Sequence, residues 1–207
     1  MSMRDILDTF GIPAHGIVYA GAHRGEHVDA FVAAGFTSIL AVEPNPELHA
    51  HLAALPVIVV PAALGERDGS ADYYAARGEQ SLRNAIYPPH FAGVSFVKSR
   101  VPCVTLEQLL AEQPGRYNAL YMNVQGAELA ALRGAGERLA DFDIVACEVN
   151  FVARYEDAAL YPAVAAYLVE HGLREVGLWR APEGDYGMAS YVHARYLSSD
   201  TASPAAR

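Results

Sequence analysis

The sequence predicts an α/β fold: a doubly wound, mostly parallel sheet with helices on both faces, in a single domain. Three observations carry this. Apolar, β-branched runs alternate with helical patterns from Ile17 onward, as strand–helix–strand units do. Turn and cap residues stand where those elements should end, as at Gly35, Pro44-Asn45-Pro46 and Gly172. The length of 207 residues with a 52% hydrophobic share suits one sizeable core, without linker or repeat.

In chain order, Met3–Phe10 reads as a short leading helix. The first strand is His15–Gly21, and a helix over Glu26–Ala34 follows, closed by Gly35 as C-cap. The second strand, Ser38–Glu43, turns through Pro44-Asn45-Pro46 into a helix over Glu47–Ala54. Asn45 is a natural N-cap there, and Pro46 suits the first helical position. The third strand is the β-branched block Val57–Val60. Between residues 62 and 102 the rhythm breaks at Gly65, Gly69, Gly78, Pro88-Pro89 and Gly93, so an irregular insertion is expected, a candidate lid. Its Tyr73, Tyr74, Tyr87, Phe91 and Phe96 fit either a satellite core or a cover for a ring-shaped ligand. A helix over Leu106–Glu112 follows, with Thr105 as N-cap, then a strand over Ala119–Val124 and a helix from Ala127 to Leu132. The strand Asp143–Val149, the helix Pro162–His171 and two closing strands, Arg174–Trp179 and Ala189–Tyr196, complete a seven-stranded count. The domain is read as residues 1–197, with 198–207 as a flexible tail.

Composition narrows the function. The formal net charge is −9, from 24 acidic against 15 basic residues, a field that repels phosphate backbones and anionic lipid. Nucleic acid and membrane are therefore not expected partners. The longest apolar stretch, Leu55–Leu64, is half the ~20 residues a span needs and holds two prolines. With no signal-peptide pattern at the N-terminus, a cytoplasmic protein is expected. Of the two cysteines, Cys147 lies in the run Ile144-Val145-Ala146-Cys147 and reads as a packed strand thiol. No zinc-type spacing is present, so no metal is expected, although carboxylates near Glu128 and Glu148 leave a weak magnesium site open. Oligomeric state is not legible.

In open α/β sheets ligands bind beyond the carboxyl ends of the strands. After the first strand comes Gly21-Ala22-His23-Arg24-Gly25, a turn that can approach a ligand closely. Glu43 ends the second strand 22 residues after Gly21, the spacing at which a carboxylate accepts both ribose hydroxyls of an adenosine. Ala62-Ala63-Leu64-Gly65 would lie beside the adenine. A dinucleotide needs G-x-G-x-x-G, and the middle glycine is missing. Glu26 and Asp29 would repel a pyrophosphate while tolerating a sulfonium and an amino group, which favours S-adenosylmethionine over NAD.

These stretches resemble the FkbM family of methyltransferases. The resemblance runs through Val18 to Gly25, Val42-Glu43-Pro44-Asn45-Pro46, Ala63-Leu64-Gly65 with Gly69, Ser81-Leu82, Thr105-Leu106, Asn123-Val124-Gln125-Gly126-Ala127-Glu128-Leu129, Leu132-Arg133-Gly134-Ala135 and Glu148-Val149-Asn150, covering residues 16 to 195. It implies a Rossmann-like methyltransferase fold, S-adenosylmethionine as cofactor, and O-methylation of a small-molecule hydroxyl, on a sugar or secondary metabolite. The implied donor contacts are Gly21, Ala22, His23, Gly25, Glu43, Pro44, Ala63, Ser81, Asn123 and Gln125. The family pattern has an Asp where Tyr19 and Asn123 stand, and similar subfamilies carry one near Met188.

Methyl transfer is an in-line displacement that needs alignment and help in removing a hydroxyl proton. Candidate catalytic groups are His23, Asn123 with Gln125, Glu128 and Glu148. Asn123 and Gln125 lie two apart and share a face, but neither amide is a base. Glu128 serves equally as a helix-start carboxylate, and a turn histidine bonded to backbone is the favoured reading of His23 over a base. Glu148 ends a buried strand, where a carboxylate needs a partner, and an acceptor-side role fits it and Asn150. A cofactor-binding module without catalysis and an NAD-dependent oxidoreductase are the competing readings.

Overall fold

The computed structural model describes residues 1–76 and 83–197. The chain opens with α1 (Met3–Phe10), β1 (Gly16–Ala20), α2 (Val28–Ala34), β2 (Ser38–Val42), α3 (Pro46–Leu52) and β3 (Ile58–Val60). Next come β4 (Ala63–Leu64), β5 (Gly69–Ala76), β6 (Phe96–Val104), α4 (Leu106–Glu112) and β7 (Tyr117–Met122). It continues with α5 (Glu128–Arg133), a 3-10 helix at Gly136–Asp141, β8 (Ile144–Asn150), α6 (Tyr161–Glu170), β9 (Leu173–Arg180) and β10 (Tyr186–His193).

Strands buried on both faces demand a sheet covered on both sides, and β1 and β8 are buried at every position. Seven strands form that sheet in the order β3-β2-β1-β7-β8-β10-β9. The first five pair in parallel, and β10 runs antiparallel between β8 and β9. Alternation along each strand sends residues to two cores. Val18, Leu40, Leu120 and Val145 pack with Leu106, Leu109, Leu132 and Leu168 of α4, α5 and α6. On the opposite face, Ile17, Tyr19, Ile39 and Ala119 meet Ile6, Leu7, Val28 and Phe31 of α1 and α2. The strand order reverses between β1 and β7, so the crevice of this sheet opens above Ala20 and Met122.

The helices Met3–Phe10 and Leu106–Glu112 fall where the sequence reading put them, and the other element ends of the main sheet and its helices move by at most three residues. α3 starts at Pro46, because the Asn45 side chain accepts from the Glu47 amide (3.1 Å). α2 starts at Val28, because the preceding turn stays open through Gly25 (φ 79°).

The expectation of an irregular insertion over 62–102 is corrected at its two ends, while 84–95 carries only turns, bends and isolated bridges. β4, β5 and β6 form a second sheet in the order β4-β6-β5, with β5 and β6 antiparallel from Gly69 opposite Cys103 to Ala76 opposite Phe96. Pro102 is tolerated inside β6 because β4 pairs only with Cys103 and Val104, leaving β6 unpaired on that side at Pro102. Tyr73 packs with Ala63 and Val101 in a small cluster of its own. Ser81 and the tail 198–207 lie outside the described residues. Among the described residues, no helix is long and apolar enough to cross a membrane.

Candidate active site

The crevice is built around the junction of β1 and β7. The Gly21 and Ala22 amides donate to the Val42 carbonyl (2.9 and 3.1 Å), and the Asn123 amide donates to Ala20 (3.0 Å). Gly21 has φ 71°, and a Cβ there would fall against the Asn123 carbonyl oxygen, inside the 3.0 Å that real Cβ contacts respect. The sequence reading gave this glycine to close ligand approach. The structure gives it first to the backbone of the β7 loop.

Glu43, 5% exposed, ties the first turn to the second: Oε2 accepts from the His23 amide and Oε1 from the Asn45 amide, both at 2.8 Å. Burial raises its carboxyl above the ordinary range, against the pull of these amides. A carboxylate has about four acceptor positions, so two remain for a ligand. Glu26 lies back over the turn, with Oε1 2.5 Å from His23 Nδ1 and Oε2 accepting from the Arg24 amide (3.2 Å). The His23 ring is thus engaged by a carboxylate at Nδ1.

A cleft of about 600 Å³, its open mouth included, runs along these turns. That is within the ~300–1,000 Å³ of small-molecule sites. Of the ten expected donor contacts, Gly21, His23, Glu43, Pro44, Ala63, Asn123 and Gln125 line it, Ala22 and Gly25 do not, and Ser81 lies outside the described residues. Tyr73, expected as satellite core or ligand cover, also lines it, together with Asn84, Ala85 and Ile86, which sequence reasoning missed. The signal was the alternation in Ala71-Asp72-Tyr73-Tyr74, which the surrounding glycines obscured. The Tyr73 hydroxyl is buried there beside the Asn84 side chain, with no well-formed hydrogen bond among the described residues. Burial, and then the charge of Glu43, raise its pKa.

The β7 loop reverses sharply, with Gln125 at φ 54° and Gly126 at φ 97°. Glu128 holds it: Oε1 accepts from the Val124 amide and Oε2 from the Gly126 amide, both at 3.0 Å. With both oxygens so engaged and 1% exposure, Glu128 faces its own loop rather than the cleft. The Gln125 amide donates to Asn123 Oδ1 and to Glu148 Oε1 (3.2 Å), and the Tyr155 hydroxyl donates to Gln125 Oε1. Tyr155 was not anticipated, and nothing in its local sequence marks it. Burial raises Glu148 to about 7, with Arg154, Gln125 and Asn123 pulling the other way. Burial, and then Glu148, raise Glu128 to about 8. Two residues beyond Glu148 on the same face, Asn150 is 1% exposed with neither side-chain atom hydrogen-bonded. Such an unpaired buried amide costs about 1–3 kcal/mol.

The departures from the FkbM pattern have structural correlates. Tyr19 sits in an edge-to-face cluster with His27, Phe31 and Tyr121 at 5.3–5.8 Å between centroids, so packing replaces a polar anchor. Met188 lies directly opposite Glu148 across β8 and β10, where an Asp would have added a carboxylate beside it.

The FkbM methyltransferase domain matches residues 20–175 of the chain. No curated protein matches it. Among solved structures, the chain resembles ribosomal protein L11 methylase from Lactobacillus delbrueckii subsp. bulgaricus (TM-score 0.53, 12% identity, covering 90% of this chain and 74% of that one). It also resembles magnesium protoporphyrin IX methyltransferase from Synechocystis PCC 6803 with bound SAM (TM-score 0.52, 11% identity, 92% and 76%). At such identities the likeness is one of fold.

Proposed function

The chain belongs to the FkbM methyltransferase family, and we propose that it methylates a hydroxyl of a small molecule, a sugar or secondary metabolite, with Glu148 as the base. It is a methyltransferase with S-adenosylmethionine as cofactor, and the residues present fit that group. Glu43 has free acceptor positions for ribose hydroxyls, Tyr73 presents a hydroxyl in the cleft wall, and Glu26 adds negative charge suited to an ammonium or sulfonium. When bound, the donor supplies a methyl carbon activated by its sulfonium.

The protein's part is to align the acceptor and take its proton. Gln125, fixed by Tyr155, links the cleft to Glu148, so the donor wall and the carboxylate are held by one amide. The observation that carries the reading is a carboxylate at the end of β8, 6% exposed, whose pKa of about 7 matches a base working near neutrality. Glu128 has the role of positioning residue for the β7 loop. An acidic chain with unpaired Cys103 and Cys147 supports a cytoplasmic setting and a small-molecule acceptor rather than nucleic acid or membrane. The test is transfer of labelled methyl to a library of hydroxyl compounds. Turnover that survives Glu148→Gln unchanged would refute the role of Glu148, and no turnover with any hydroxyl would favour a binding module.

Glu43→Ala should weaken S-adenosylhomocysteine binding by about 1–3 kcal/mol, because a charged acceptor is lost and the His23 and Asn45 amides are released. Calorimetric titration of the folded variant checks this, and an unchanged Kd removes Glu43 from the ribose. Asn123→Asp should lower kcat/KM at pH 7 and move its rise to higher pH. A carboxylate in contact with Gln125 disfavours ionisation of Glu148. A gain in turnover that needs magnesium would point instead to a metal site.

A further inference from the structure

Beyond the donor cleft, two polar groups near the β8 end have hydrogen-bonding capacity that no described residue takes up. The Asn150 amide is the first: buried, and bonded at neither Nδ2 nor Oδ1. The second is the guanidinium of Arg154. It lies over the rings of Phe91 (5.0 Å) and Tyr186 (4.7 Å) and makes no ion pair or side-chain hydrogen bond with any described residue. Ring contacts use the faces of a guanidinium and leave its in-plane N–H edge unspent. Among the described residues, Arg174 and Arg180, likewise without a carboxylate, spend their guanidinium N–H groups on backbone carbonyls, whereas Arg154 spends none and does not take Glu156 or Asp157 of its own loop.

The fold brings both groups to one place. Tyr186 opposes Asn150 in the β8–β10 register, so the ring under Arg154 and the unpaired amide share a face of the sheet. Glu148 is two residues back on that face and feels the charge of Arg154. We propose that Asn150 and Arg154 form the acceptor subsite and that the acceptor is a hydroxyl compound bearing an anionic group, carboxylate or phosphate, a short distance from the hydroxyl. A hydroxyl is donor and acceptor at once and satisfies both ends of the Asn150 amide, whereas the fork of Arg154 suits a planar or tetrahedral anion. This deepens the methyltransferase reading and rests on it.

The test separates the two. S-Adenosylhomocysteine is titrated first, which reports on the donor site alone. Glucose, glucuronate and glucose 6-phosphate are then titrated into the protein with and without S-adenosylhomocysteine. At least one of the two anions should bind ten-fold or more tightly than glucose, and which one tells carboxylate from phosphate. Arg154→Gln should erase that advantage while S-adenosylhomocysteine affinity stays within about two-fold. Asn150→Ala should weaken charged and neutral sugars alike. Glucose binding as tightly as both anions, an advantage that survives Arg154→Gln, or no binding by either anion would overturn the proposal. Failure of S-adenosylhomocysteine to bind would count against the donor site, and the anion preference would still be read on donor-free protein.

Discussion

Glu148→Gln should lower kcat/KM at pH 8 by about one hundred- to ten thousand-fold, the range over which a positioned base contributes, while leaving S-adenosylhomocysteine affinity unchanged. Glutamine keeps the shape and can still meet Gln125, so only the proton acceptor is removed. The wild-type profile should show the titration itself. A base acts in its ionised form, and burial raises Glu148 to about 7. Activity should therefore climb as pH rises through about 7 and level off above it, and the glutamine variant should lack that step. A variant that loses rate but keeps the same step would assign the titration to another group.

Gly21→Ala should cost several kcal/mol of folding stability and abolish donor binding with it. Two penalties combine. A non-glycine residue at φ 71° costs about 1–2 kcal/mol. The added Cβ also meets the Asn123 carbonyl oxygen, which belongs to backbone anchored by a hydrogen bond to Ala20. Overpacking adds about 1–3 kcal/mol or more where the neighbour cannot yield. Gly11→Ala is the matched control, since Gly11 has a similar φ (64°) and nothing within 4 Å of the added Cβ. Urea melts of the two variants separate strain from clash. Equal losses would mean that the β1–β7 junction yields to the extra carbon.

The strands of the main sheet were legible because burial on both faces demands continuous apolar runs, as in Ile17-Val18-Tyr19-Ala20 and Ile144-Val145-Ala146-Cys147. The β5–β6 hairpin was not. Its strands expose one side, so Lys98 and Arg100 interrupt the apolar pattern, and Pro102 argues against a strand unless the one-sided pairing is known. Glu43 and the first turn were readable because sequence spacing maps directly onto adjacent strand ends. Glu128 was ambiguous because its partners, the Val124 and Gly126 amides, depend on a loop conformation that no side chain announces. Tyr155 and Arg154 lie in an irregular segment after β8, brought to the site only by tertiary packing.

The two buried carboxylates also set how firmly the molecule holds together at different acidities. Glu128 and Glu148 have folded-state pKa values of about 8 and about 7, both above the 4.5 of an unperturbed glutamate. For groups raised in this way, the stability they contribute is complete below about 4.5. It falls as the unfolded chain ionises first, and is lost once pH passes the folded values. Between pH 5 and 8 the protein should therefore become less stable by a few kcal/mol as it becomes more active. In the same window the inactive Glu148→Gln should melt at a higher temperature than the wild type. The carboxylate proposed as the base is then a standing burden on the fold, one that a proton-accepting role would account for.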